Sequence, residues 1–126
     1  EGGEGEPVID VFVSHAKRLE HTEDRAVWVA DVVEQRGLLA FFDRSDLKEI
    51  TEEALKVKVL ASRCLVTIID PVTFNSTWVL KENLWAANAG IPIVAVFDAD
   101  RYRWAELSKW QRMHPWVFSM QAVPLT

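Results

Sequence analysis

Four short apolar runs, rich in β-branched and aromatic residues, constrain the fold more than any other feature of the sequence. They read VIDVFV (8–13), LLAFF (38–42), CLVTII (64–69) and IPIVAVF (91–97). The runs are largely apolar rather than alternating, which is typical of strands covered on both faces of a parallel sheet. The sequence therefore predicts an α/β fold with a central parallel sheet of four to five strands.

Helix start and stop signals separate these runs. Thr22, Thr51 and either Ser76 or Thr77 are the predicted N-caps. Gly37 and Gly90 are suited to end helices, because glycine readily adopts a positive φ. The alternation of strands and helices predicts a flavodoxin-like three-layer sandwich with right-handed crossovers. Ligands of such sheets bind beyond the carboxyl ends of the strands, which is where functional residues are expected.

The two ends of the chain are less regular. Residues 1–7, EGGEGEP, are expected to be a flexible leader or a cloning remnant, and residues 8–126 are expected to form one domain. Within the last part, a helix is expected over Tyr102–Met113 and a short fifth strand over Val117–Val123. The segment 101–116 mixes cations with tryptophans, as a single-strand nucleic-acid binder does, but a helix with snorkelling cations has the same composition.

Composition excludes several function classes. Fourteen Lys and Arg against nineteen Asp and Glu give a net charge of −5, so the basic field that nucleic acid or an anionic membrane requires is missing. This charge favours the packing interpretation of segment 101–116. No apolar run approaches the ~18 residues of a membrane span. Only two glycines lie outside the leader, so neither a Walker A loop nor a dinucleotide-binding G-x-G-x-x-G can be written.

Cysteine and histidine usage predicts neither a disulfide nor a metal site. Cys64 is the single cysteine and is expected to be a small core residue. The three histidines have no metal-ligand spacing. Ser14 and His15 end the first apolar run, but adjacent strand residues point to opposite faces, and no G-x-S-x-G elbow is present. Ser14 is therefore expected to be a hydrogen-bonding residue rather than a nucleophile.

Glu82 is the residue most suggestive of chemistry. It falls between Trp78 and Trp85 at helical spacing, so a carboxylate interrupts an aromatic stripe. Burial of that face would desolvate the carboxylate and suit it to binding or proton transfer. A solvated glutamate, paired with Lys81 or another cation, is the alternative interpretation.

Taken together, these motifs resemble a TIR (Toll/interleukin-1 receptor) domain. Asp10–His15, DVFVSH, looks like the first-strand box of the family, and Phe42, Asp43 and Leu47 sit where the second strand leads into the BB loop. Residues 76–82, STWVLKE, match the family's S-x-W-x-x-x-E. The glutamate of that motif is catalytic in the NAD-cleaving members of the family.

The resemblance implies two functions. The first is an NAD+ glycohydrolase that cleaves the nicotinamide–ribose bond in signalling or defence, with Glu82 catalytic and NAD+ as substrate rather than cofactor. The resemblance then assigns substrate binding to Ser14, His15, Asp43, Ser76 and Trp78, and requires no metal. The second is a non-catalytic adaptor module that works by TIR–TIR assembly. Either implies a cytoplasmic protein that associates with itself or with other TIR domains, the BB loop around Asp43–Ile50 completing the pocket of a neighbour.

Overall fold

A computed structural model describes residues 8–16, 20–42, 51–103, 105, 108, 109, 112 and 123–125. In this part of the chain, five strands, three α-helices and a short 3-10 helix, Thr73–Asn75, have defined bounds, and residues 105, 108, 109 and 112 are also helical. In chain order these strands and α-helices are β1 (Ile9–Ser14), α1 (Glu20–Gln35), β2 (Ala40–Phe41), α2 (Glu52–Leu60), β3 (Ser62–Ile69), α3 (Thr77–Asn88), β4 (Ile93–Asp98) and β5 (Val123–Leu125).

The strands form one sheet in the order β2-β1-β3-β4-β5, and every neighbouring pair is parallel. This is the strand order of flavodoxin-like folds. The predicted flavodoxin-like sandwich is therefore confirmed, including its parallel sheet of up to five strands. β1 lies inside the sheet, between β2 and β3, and its last residue, Ser14, lies opposite Thr67 of β3.

The side chains of β4 show why its apolar run is nearly continuous. Ile93, Ala95 and Phe97 pack into the core under α2 and α3, whereas Val96 packs into a second core under α1. Each face of the strand therefore meets a helical layer. Apolar residues at successive positions are needed because neither face is left to water.

Four of the predicted helix signals are confirmed. The hydroxyls of Thr51 and Ser76 accept the N–H groups of Ala54 and Val79, at 3.0 and 3.2 Å, and so cap α2 and α3. After α1, Gly37 has a φ of +80°, and Leu38 donates its N–H to the Val33 carbonyl. This is a glycine-dependent helix end. Gly90, with a φ of +75°, ends α3 in the same way.

Thr22 is not the N-cap that the sequence predicts. It lies inside α1, which already includes Glu20, and its hydroxyl donates to the Asp70 carboxylate at 2.5 Å. The predicted helix start was wrong because this hydroxyl serves a partner 48 residues away. Local capping patterns carry no information about such a partner.

The two edge strands are the shortest in the sheet. β2 has two residues although the apolar run covers 38–42, because Leu39 bonds instead to Asp10, through both the backbone and the Asp10 carboxylate. β5 has three residues, and Pro124 stands at its centre opposite Phe97. Much of the predicted helix over 102–113 and most of the predicted strand over 117–123 lie outside the described residues.

Candidate functional site

Glu82 lies at the point where the direction of strand order changes. The chain leaves β1 for β2 on one side and later places β3 on the other, and folds of this class bind their ligands beyond the carboxyl ends of two such strands. Ser14, at the carboxyl end of β1, donates its hydroxyl to Glu82 Oε1 at 2.6 Å. The predicted catalytic glutamate therefore occupies the position where ligands of this fold class bind.

The Glu82 carboxylate is withdrawn from solvent. The residue is 6% exposed and Ser14 is 1% exposed. Lys81, the cation named in the solvated alternative, instead bonds Glu52 at 2.9 Å and lies 4.9 Å from the centre of the Trp78 ring. The structure therefore favours the partly desolvated carboxylate over the solvated one.

A buried asparagine, Asn83, adjoins the same hydroxyl. Its amide nitrogen donates to the Val79 carbonyl at 2.8 Å and lies 3.5 Å from Ser14 Oγ. Its amide oxygen accepts the Thr67 hydroxyl at 2.6 Å. These contacts form one buried polar chain that leads from the sheet to the carboxylate, through Thr67, Asn83, Ser14 and Glu82.

The tryptophans flank this site rather than form its centre. The fully buried stripe of α3 consists of Val79, Glu82, Asn83 and Ala86. Trp78 and Trp85 are seven residues apart, so they lie along one edge of that stripe, where both are half-buried and pack against the core. Trp78 therefore lies one helical turn before Glu82, as a wall of the site would, but its predicted contact with substrate stays a prediction.

The other predicted substrate-binding residues are placed differently. Ser76 caps α3, six residues before Glu82. His15 lies on the α1 side of the sheet, where its Nε2 is 3.1 Å from Glu23 Oε1 and its ring meets the edge of Phe42. The structure thus brings Ser14 to Glu82 but sends the adjacent His15 away from it. Asp43 lies outside the described residues.

The loop between β3 and α3 is fixed by a buried carboxylate. Asp70 is 1% exposed, and besides Thr22 it accepts the N–H of Val72 at 2.8 Å and lies 3.1 Å from Thr73 Oγ1. The Asp70 N–H in turn donates to Thr73 Oγ1 at 2.7 Å. This network ties α1 to the loop that leads to Ser76, and it sets where α3 begins.

A second cleft, of about 300 Å³, opens at the carboxyl end of β4. Its lining residues are His21, Asp24, Arg25, Trp28, Asp98 and Arg101. Asp98 pairs with Arg25 at 3.2 Å and Arg101 at 3.5 Å. Burial alone would raise the pKa of the Asp98 carboxyl. Hydrogen bonds from Arg25 and from the Asp100 N–H, with the charges of both arginines, outweigh it and hold that pKa below its ordinary value.

The described residues include neither a metal-ligand cluster nor a membrane-spanning helix. Within the described part of the chain, no three His, Cys, Asp or Glu side chains converge as metal ligands. No helix there has the length and apolar character needed to cross a membrane.

Cys64 is half-buried, and desolvation, with the nearby charge of Asp10, raises the pKa of its thiol. A raised pKa disfavours the reactive thiolate, in keeping with the expected packing role.

Sequence reasoning missed Asn83 and Asp70. Asn83 carries a usable signal, because positions 79, 82, 83 and 86 follow the i, i+3, i+4, i+7 spacing of a buried helix face. A buried amide must be hydrogen-bonded, so an asparagine on that face indicates a polar network. Asp70 precedes a proline at a strand end, a pattern that is equally typical of a surface turn.

Comparisons with known proteins agree with this architecture. In the structure of the activated Roq1 resistosome directly recognizing the pathogen effector XopQ, the TIR domains match with a TM-score of 0.59 and 22% identity. That match covers 71% of this chain and 57% of the Roq1 chain, so this chain spans little more than half of that one. The crystal structure of a conserved protein from Enterococcus faecalis V583 matches with a TM-score of 0.60 and 15% identity, over 93% of this chain and 91% of that one.

Both identities are low, so these two likenesses bear on the fold alone. A search of curated proteins finds no match. The family assignment rests on sequence, because the family model for the TIR domain matches residues 11–120. That match takes in most of β1, the strands β2 to β4, the helices α1 to α3 and the buried Glu82. The chain therefore belongs to the TIR-domain family.

Proposed function

We propose that this TIR domain is an NAD+ glycohydrolase with Glu82 as its catalytic residue. The observation that carries the proposal is the placement of the Glu82 carboxylate, which is 6% exposed and held by Ser14 at the carboxyl end of β1, beside the switch in strand order. Burying a carboxylate costs free energy, and an apolar residue would fill the same space at lower cost. Such a group where ligands of this fold class bind is a candidate for function.

Cleavage of the nicotinamide–ribose bond mainly requires a negative charge held beside the ribose. When the nicotinamide–ribose bond breaks, its electron pair leaves with the positively charged nicotinamide ring, which becomes neutral without needing an acid. Positive charge then develops on the ribose, in an oxocarbenium-like state that water attacks, and the new hydroxyl releases its extra proton to solvent. A carboxylate held beside the ribose stabilises that charge and can accept hydrogen bonds from the ribose hydroxyls.

The proposal also covers the substrate, the protein partners and the location in the cell. NAD+ is a substrate and not a resident cofactor. Copies of this domain, or other TIR domains, are the proposed protein partners, with the segment 43–50 of one copy completing the site of the next. Activity is then expected to rise when the domain is clustered. We place this activity in the cytoplasm, in signalling or defence.

The test is release of nicotinamide from NAD+, by the domain in dilute solution and by the domain tethered at high density on beads. Glu82→Gln is the informative variant, because it keeps an oxygen that can accept the Ser14 hydroxyl and loses only the charge. Its rate should fall ~10²–10³-fold, as when one electrostatic interaction with the transition state is removed. Glu82→Ala should also be inactive, but it strands a buried hydroxyl at a cost of about 1–3 kcal/mol.

Glu53→Gln provides the matched control. Glu53 is an exposed glutamate of α2, so this variant makes the same change of charge away from the site. It should keep wild-type activity, and its melting temperature should fall by no more than about 4 °C, because a negative charge in the first turn of α2 contributes at most about 1 kcal/mol. Wild-type rates in Glu82→Gln would eliminate the charge of Glu82 as the catalytic group. A wild type that releases no nicotinamide even when clustered would point instead to an assembly module.

A further inference from the structure

The direction of one buried proton at this site can be deduced. The Val79 carbonyl can only accept hydrogen bonds, so the Asn83 atom that lies 2.8 Å from it must be the amide nitrogen. The amide oxygen of Asn83 therefore faces Thr67, whose hydroxyl donates to it at 2.6 Å. Asn83 is 0% exposed and is held from both sides, which fixes the orientation of its side-chain amide.

This orientation decides what the Ser14 hydroxyl does. The second N–H of the Asn83 amide faces Ser14 Oγ at 3.5 Å, and an amide nitrogen cannot accept a hydrogen bond. The single proton of Ser14 therefore has no acceptor on its Asn83 side. On its other side Glu82 Oε1 lies 2.6 Å away and accepts it. The amide thus turns the hydroxyl towards the carboxylate.

We propose that Asn83 is a positioning residue that acts through Ser14, directing its hydroxyl proton to Glu82 and so fixing the carboxylate in the orientation used on the ribose of NAD+. This inference rests on the proposed function of Glu82. It assigns Ser14 a role within the protein, because a hydroxyl that is 1% exposed and already donating has little left to offer a substrate. Neither residue is a catalytic residue on this scheme.

The test is a double-mutant cycle on nicotinamide release. Ser14→Ala removes the hydroxyl, and Asn83→Leu keeps the size of the side chain while removing its donor. Each should lower kcat by about 10- to 100-fold with KM within about twofold, because the group that reacts is present but misplaced. If Asn83 acts through Ser14, the double variant should lose no more than Ser14→Ala alone.

A purely structural role predicts other results. It would lower the melting temperature without the split between kcat and KM, and the losses in kcat of the two substitutions would simply add; either result overturns the inference. Asn88→Leu, at an exposed asparagine that ends α3, is the matched control and should leave kcat unchanged. Where Asn83→Leu does not fold, the isosteric Asn83→Asp takes its place in the same cycle.

A second measurement separates this inference from the proposed function. The ¹³C resonance of the Glu82 carboxyl carbon, assigned by its loss in Glu82→Gln, reports the hydrogen bond directly at one fixed pH. It should shift in Ser14→Ala and in the Asn83 variant, and stay in place in Asn88→Leu. An unmoved resonance in the Asn83 variant overturns the inference even if the enzyme is active. If the resonance shifts in both variants but the wild type proves inactive, the positioning is supported and only the NAD+ reaction is refuted.

Discussion

Replacing Thr22 with valine should destabilise the domain by removing one buried hydrogen bond. The Thr22 hydroxyl donates to Asp70 at 2.5 Å, and both residues are 1% exposed. Valine has nearly the same shape as threonine, so the substitution opens no cavity, and the helix propensities of the two residues are close. The loss can therefore be attributed to the contact between α1 and the loop before α3.

The expected loss of stability depends on the hydrogen bonds that Asp70 keeps in Thr22→Val. A hydrogen bond to a charged group contributes about 1.5–3 kcal/mol. The carboxylate still accepts from Val72 and still contacts Thr73, so it is not stranded, and the lower part of that range, about 1.5–2 kcal/mol, applies. For a chain of this length about 4 °C of melting temperature corresponds to each kcal/mol, so the midpoint should fall by about 6–8 °C.

Thermal and urea unfolding, followed by circular dichroism, measure this difference. Thr77→Val is the matched control, because Thr77 is exposed in the first turn of α3. Its stability should stay within about 0.5 kcal/mol of wild type. If Thr22→Val melted within 2 °C of wild type, or no lower than Thr77→Val, the reasoning about the Thr22–Asp70 contact would be refuted.

Two further substitutions test local features. Ser76→Ala removes the cap of α3 and should cost about 1 kcal/mol in thermal unfolding, whereas Ser76→Asp should retain most of it; equal stability of all three proteins would contradict the capping role. Asp98 has a folded-state pKa below its unfolded value, so its pairing stabilises the domain above the unfolded pKa of about 3.9, and that stability is lost as pH falls towards the lower, folded value. Urea midpoints between pH 6 and 3 should therefore fall less steeply in Asp98→Asn, and an unchanged slope would contradict this account.

The fold could be read from the sequence because its signals are local. Residues such as Ile93 and Val96 lie on opposite faces of one strand and are both apolar, which predicts a parallel sheet covered on both sides. Gly37 and Thr51 mark helix ends through backbone conformation and capping, which depend on a few neighbouring residues. The predicted N-cap at Thr22 was wrong, because the Thr22 hydroxyl bonds to Asp70, which is far along the chain.

The candidate site was only partly predictable for the same reason. Glu82 was found through its spacing with the tryptophans and through the S-x-W-x-x-x-E motif. Its hydrogen bond with Ser14 could not be found, because 68 residues separate the two and only the fold brings them together. Ser14 and His15 share a motif, yet the pleat of the strand sends one to Glu82 and the other to Glu23.

The short edges of the sheet limit how copies of this domain can meet. Exposed edge strands are templates for pairing with another chain, and longer ones recruit partners or seed aggregation. β2 offers two residues, and β5 offers three with Pro124, which has no N–H to donate, at its centre. Strand addition at β2, or along the described residues of β5, is therefore a poor route to self-association for this chain. A TIR assembly that contains it is expected to be joined through side chains of helices and loops, and so to come apart without any rearrangement of the sheet.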